Sequence, residues 1–155
     1  MSMSLGEAAS AVRVRRLTQE ETFLLAALHL QALRRDGLRP DNHVQDFGQA
    51  WHERADDLPA WVAEADDEHV GMAICQLPLL PHLGSGSPEL VALSCLGGDH
   101  EAVALALVRA VVTWGGREGF ASVEVAPSID LPASVLDAAR ADVLSQRRVS
   151  LPTRP

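Results

Sequence analysis

The sequence predicts an α/β (α+β) fold in which strands and helices share one core and the strand pairing is mixed, and three observations predict it. Leu90 to Val125 runs strand, glycine turn, long apolar helix, strand. Ala60 to Leu80 holds two apolar segments around the charged turn Asp66-Asp67-Glu68, the pattern of an antiparallel hairpin. Ahead of the hairpin lie two stretches with apolar residues at helical spacing. The predicted order is β-α-α-β-β-β-α-β-α, with a further short strand at the end.

Met1 to Ala11 is small, polar and aperiodic, and reads as a flexible tail ahead of one domain spanning residues 12–155. Val12 to Leu17 is a short strand. Thr18-Gln19-Glu20-Glu21 matches a capping box, in which Thr18 accepts from a backbone N–H and Glu21 reaches back. The first helix follows, with Phe23, Ala26, Ala27, Leu30 and Leu33 as its apolar stripe and Gly37 as its stop. Pro40-Asp41 opens a second helix with Val44, Phe47 and Trp51 inward, ended by Leu58-Pro59. The hairpin strands are Ala60 to Ala65 and His69 to Leu80, and Pro81 to Pro88 is a connector. Glu89 to Leu96 is the next strand. Asp99 caps a third helix running to Glu118, apolar on two faces and therefore covered on most sides. Ala121 to Ala126 is a strand. Pro132 starts a fourth helix with Ala133, Leu136, Ala139 and Val143 inward, and Val149 and Leu151 form the last short strand.

Composition narrows the function. Apolar residues make up 47% of the 155 and aromatics only 4%, so aliphatic side chains must fill the core. A formal net charge of −8 argues against nucleic acid and against an anionic membrane surface, and suits a cationic substrate such as an amine. There is no lysine and no tyrosine, which excludes lysine Schiff-base chemistry and a tyrosine general acid. Two cysteines, Cys75 and Cys95, make neither a disulfide framework nor a zinc site, and no histidine pairing at ligand spacing implies a metal. With no signal peptide and no membrane-spanning stretch, the expected location is the cytoplasm.

Two motifs carry a resemblance that covers almost the whole chain from Val12. From Val103 to Phe120 the helix resembles that of the GNAT superfamily, the GCN5-related N-acetyltransferases: Ala104, Ala106, Leu107, Trp114, Gly119 and Phe120 sit where that family places similar residues. In the same register Asp99 stands at the family's Arg/Gln position and Ala102 at its first motif glycine. Asp130-x-x-Ala133-x-x-Leu136-Asp137 keeps the spacing of a later motif, with Asp130 in place of Asn and Asp137 in place of Tyr; Ala141 and Asp142 stand where Gly-Phe would. Positions that pack agree with the family, and positions that touch cofactor differ.

The resemblance implies a mixed, mostly antiparallel central sheet flanked by about four helices, and an acyl-CoA-dependent N-acyltransferase moving acetyl from acetyl-CoA to a primary amine of a small molecule or peptide. It implies a pyrophosphate held by backbone N–H groups of Ala102, Val103 and Ala104, or upstream by a shifted turn at Gly98. It also implies carbonyl stabilisation by strand backbone near Ser94 to Leu96, with Glu89 as candidate base and Cys95 as candidate proton donor to the departing thiolate. His43 and His52 on the second helix, nine positions apart and facing away from each other, would shape an acceptor pocket given an acidic lining by Asp41, Asp46 and Glu53. A homodimer through the C-terminal strand is a further implication. The replacements at cofactor positions leave two alternatives open: a catalytically inactive interaction or ligand-sensing module of the same fold, and a module whose ligand is not CoA.

Overall fold

The computed structural model describes residues 11–80, 82–144 and 150–153. Five strands form one sheet in the order β1-β2-β3-β4-β5: β1 (Arg13–Arg16), β2 (Ala60–Ala65), β3 (Glu68–Gln76), β4 (Glu89–Cys95) and β5 (Glu124–Val125). The first four pair antiparallel and β5 joins β4 in parallel. Helices α1 (Thr22–Arg35), α2 (His43–Glu53), α3 (His100–Arg117) and α4 (Ala133–Ala138) follow the expected order. The mixed, mostly antiparallel sheet with four helices is therefore as the sequence implied. The expected tail lies outside the described residues except for Ala11, and so does Val149; Leu151 is described and is not in a strand.

Local chemistry explains where each element begins and ends. Glu21 accepts from the Thr18 N–H at 3.1 Å, closing the expected capping box over a short 3-10 turn (Gln19–Glu21) that leads into α1. Gly37, at φ +84°, ends α1: its N–H bonds the Arg34 carbonyl while Leu38 bonds that of Leu33. The same pair of bonds closes α3 at Gly119 and Phe120. Asp66 and Asp67 both take positive φ, as a two-residue hairpin turn needs, so the β2–β3 turn forms where the charges indicated.

Several boundaries and faces differ from expectation. Helix α2 stops at Glu53, five residues early, and the Trp51 indole N–H bonds the Leu58 carbonyl at 2.7 Å across the ensuing turns. Strand β3 stops at Gln76, before Pro78, which has no N–H to give a ladder. Strand β5 keeps two residues of the six expected. Phe23 is 74% exposed; α1 buries Ala26 as expected, and with it Leu25 and Leu28. On α4, Val135 is the buried residue, Leu136 is half-buried and Ala133 is exposed; the helix ends at Ala138, and beyond it Ala139 is exposed and Val143 is 97% exposed.

Aliphatic packing fills both faces of the sheet. On one, Leu25, Leu28 and Trp51 from α1 and α2 meet Val62, Met72 and Ile74. On the other, Val103, Leu107 and Val111 of α3 meet Trp61, Ala73 and Leu90. Helix α4 covers a second side of α3 through Leu131 and Val135 against Ala104 and Val108. Gly71 of β3 sets how closely α3 approaches: a Cβ there would lie 2.6 Å from Val103 Cγ1 and 2.8 Å from the Ser94 carbonyl oxygen. Backbone cannot yield as a flexible side chain can, so overpacking costs follow. Gly71→Ala is expected to destabilise the fold by about 1–3 kcal/mol, read as a lower denaturant midpoint with an unchanged slope.

Candidate functional site

Strand β4 is paired on both edges only at its start. Glu89 and Leu90 face Glu124 and Val125; from Val91 onward the edge toward β5 has no strand partner among the described residues. A register shift between Ile74 and Cys75 of β3 leaves Val91 of β4 as an extra residue, a β-bulge at the point of divergence. The bulge changes which backbone groups face the free edge. Before it, the Leu90 carbonyl accepts from Ala126 of the β5 side. After it, Leu96 donates to the Val70 carbonyl at 2.7 Å, on the β3 side. With a period of two, Ser94 faces β3 with Leu96, while Leu93 and Cys95 turn their N–H and C=O groups to the free edge. The backbone donors expected at Ser94 and Leu96 are thus spent in the sheet, and those of Leu93 and Cys95 take their place. A one-residue bulge leaves no mark in an apolar run such as Leu90 to Leu96, so sequence reading misses it.

Glu89 and Cys95 mark opposite ends of this edge. Glu89 lies at the apex, beside Glu124 where the strands still pair; Cys95 lies at the mouth, by the start of α3. Six residues of strand separate them, roughly 20 Å, so the two candidate catalytic groups do not meet. The Cys95 Sγ–H donates to the His100 carbonyl at 3.5 Å, and burial raises its pKa, opposed by the nearby Arg35 charge. Cys75, fully buried, is pushed up to about 12 by desolvation. Both thiols are protonated at neutral pH.

At the mouth, α3 presents its N-terminus, and the chain caps it with its own carboxylate. Asp99 Oδ1 accepts from the N–H of Glu101 at 3.0 Å and of Ala102 at 3.4 Å. The Val103 N–H bonds the Asp99 carbonyl within the helix. Ala104 lies one residue further in and is buried. None of the three donors expected for a pyrophosphate is therefore free. Gly98, at φ +66°, provides the turn before the cap. The free edge suits an extended thioester arm, but the helix tip as folded does not fit a diphosphate.

A cation reaches this mouth from a distant part of the chain. Arg35, in the last turn of α1, donates from Nη1 to the Cys95 carbonyl at 3.0 Å. Arg34 and Arg35 at the end of α1 read in sequence as partners for the helix dipole, so nothing marked Arg35.

The second helix builds a separate feature. A groove of about 800 Å³ between α1 and α2 is lined by Phe23, Leu30, Val44, His43 and His52 among others, and no residue of β4, β5 or α3 lines it. Asp41, Asp46 and Glu53 are not in its lining, and both histidines are. His29 Nδ1 and His43 Nε2 lie 2.8 Å apart, so one ring must donate and the other accept, and both stack near Phe47. Burial, then the His43 charge, lowers the His29 pKa. Among the described residues no cluster of metal-ligating side chains forms, and no helix is long and apolar enough to cross a membrane.

Two outcomes follow. Asp99→Ala is expected to cost about 1 kcal/mol of stability through the lost cap, with Asp99→Ser recovering most of it in thermal unfolding. A histidine whose folded pKa lies below its unfolded value contributes stability above about pH 6.5 that is lost as pH falls through the folded value. The unfolding temperature is expected to drop on acidification below that pH, and His29→Gln to show a shallower drop.

No family model matches the chain, and no curated protein sequence matches it. Solved structures do match it along nearly its whole length. A probable acetyltransferase superposes with a TM-score of 0.71 at 17% identity, over 92% of this chain and 99% of its own. The aminoglycoside N-acetyltransferase AAC(6')-Iy, bound to a CoA-linked bisubstrate analog, gives 0.69 at 20% identity over 94% and 100%. The ribosomal-protein-alanine N-acetyltransferase of Brucella melitensis biovar Abortus 2308 gives 0.68 at 14% identity over 92% and 99%. Element order, sheet topology and these superpositions agree: the chain has the fold of the GNAT superfamily.

Proposed function

We propose that this chain is an N-acyltransferase that moves an acyl group, acetyl in the first instance, from a CoA thioester to the primary amine of a small molecule or a peptide. The observation that carries it is the free edge of β4 beyond the bulge at Val91, a strip of unspent backbone groups between the apex at Leu90 and the tip of α3. N-Acetyltransferases that act on an aminoglycoside and on a ribosomal protein's alanine share this fold, which supports the amine as acceptor.

The roles follow from position. An acyl-CoA supplies the activated carbonyl. The Leu93 N–H, the first free-edge donor past the bulge, is placed to bond an acyl oxygen, a contact that strengthens as charge develops on it. Glu89, at the apex four strand residues from Leu93, takes a proton from the incoming ammonium through water. Cys95 lies two strand residues from Leu93 on the same edge, but its bond to the His100 carbonyl gives it a structural part, and the departing CoA thiolate takes its proton from solvent. The net charge of −8 favours the approach of a cationic amine. Both cysteines are free thiols, as the reducing cytosol keeps them, and we take that to be where the chain works.

One observation favours a second reading. Asp99 occupies the Glu101 and Ala102 N–H groups that a diphosphate would use, as a non-catalytic interaction module of the same fold would allow. Calorimetric titration with acetyl-CoA, together with thiol release in the presence of primary amines, separates the two. Micromolar binding and amine-dependent release are expected. Absence of heat and of any thermal shift at millimolar ligand would establish the module instead. In the active protein, Glu89→Gln is expected to lower turnover by about 10² and to flatten the rise of rate with pH; an unaltered pH profile would remove Glu89 from the reaction.

A further inference from the structure

A cation stands at the mouth of the β4 edge, beside the α3 tip that Asp99 caps. Arg35 sits in the last turn of α1, on the opposite face of the sheet from α3. Its Nη1 reaches the Cys95 carbonyl at 3.0 Å, and that carbonyl points along the sheet plane toward the free edge, because the bulge at Val91 has shifted the alternation by one residue. The guanidinium is thereby held at the edge itself. Cys95 Sγ in turn bonds the His100 carbonyl, so Arg35 stands next to the first turn of α3.

No carboxylate neutralises it. The ion pairs among the described residues are both made by Arg15, and the Cys95 carbonyl is the one acceptor that Arg35 engages. A guanidinium has five N–H donors in a fixed fork suited to phosphate, so most of its bonding capacity faces outward. Like every described arginine but Arg15 it makes no ion pair; what distinguishes it is its place, an exposed guanidinium held by a backbone carbonyl at the mouth of the free edge, on a chain of net charge −8.

We infer that Arg35 is the phosphate-binding residue of this chain's acyl-donor site, gripping the diphosphate of a CoA thioester from the α1 side of the edge in place of the α3 tip that Asp99 has closed. The inference rests on the acyltransferase reading and adds to it the residue on which donor affinity depends. The donor then lies with its phosphates beyond the Arg35 guanidinium, outside the end of the strand, and its thioester at the Leu93 N–H.

The test compares CoA with acetyl-pantetheine, which carries the thioester arm without the diphosphate or nucleotide, on the native chain and on Arg35→Gln and Arg35→Lys. Binding is read by calorimetry for CoA and by thermal shift at millimolar acetyl-pantetheine, with circular dichroism melting to establish that each variant folds. CoA affinity is expected to fall about tenfold or more in Arg35→Gln and to recover partly in Arg35→Lys, which keeps the charge and loses the fork. The shift with acetyl-pantetheine is expected to stay unchanged, and added salt to weaken CoA binding to the native chain more than to Arg35→Gln. Should Arg35→Gln fail to fold, Arg35→Lys alone must still bind CoA more weakly than the native chain. Equal CoA affinity in the native chain and the variants overturns the inference and leaves the acyltransferase reading standing. Equal losses for CoA and acetyl-pantetheine also overturn it, because Arg35 would then be shaping the strand end and not holding phosphate. A native chain that binds neither compound overturns both readings together.

Discussion

The contact of α3 with β3 at Gly71 is the constraint on which the rest of the structure depends. A strand residue without a side chain lets Val103 and Leu107 come down onto the sheet, where they pack among Trp61, Ala73 and Leu90. That depth fixes the height of the helix N-terminus relative to the end of β4. It brings the His100 carbonyl to Cys95 and leaves one short turn, Gly97-Gly98, to join strand and helix. The second side of α3 is then free to take α4, whose Val135 and preceding Leu131 pack on Ala104 and Val108. The other face of the sheet holds itself together through α1 and α2, with Trp51 tying α2 to the turn at Leu58.

Against this frame, the divergence of β4 from β5 is a local event. The extra residue at Val91 bends the strand and changes the phase of its hydrogen bonding where β5 is lost as a partner. Backbone groups that a continuous sheet would consume are left along one edge, and such groups seek partners. One of them, the Cys95 carbonyl, finds Arg35. The helix tip shows the same economy: donors that lack a partner within the helix are satisfied by Asp99. There, N–H groups that a bound anion would satisfy are met by the chain's own Asp99, while Arg35 of α1 makes no ion pair among the described residues.

Much of the architecture was legible in the sequence because it rests on short-range rules. The capping box at Thr18 and Glu21, the glycine stops at Gly37 and Gly119, the Asp66-Asp67 turn and the aspartate cap of α3 each involve residues within a few positions of one another. Errors clustered where a neighbour distant in sequence decided the outcome. Phe23 fits the helical stripe of α1 yet is exposed, because the packed α2 and the sheet meet the side of the helix that carries Leu25 and Leu28. Ala121 to Ala126 has the composition of a strand, but a strand is only as long as its partner permits, and β4 bends away after Leu90.

The candidate site divides along the same line. The sequence by itself determined the element order, the end of β4, the glycine turn and the carboxylate at the start of α3, since each follows from local propensity and periodicity. Only the tertiary structure decided that Leu93 and Cys95 face the free edge where Ser94 and Leu96 do not, and that Arg35 arrives from 60 residues away. The reason is that strand register and helix docking are set by contacts between segments far apart in the chain. A shift of one residue in register exchanges which backbone groups are spent and which are free, without altering the composition that a reader of the sequence can see.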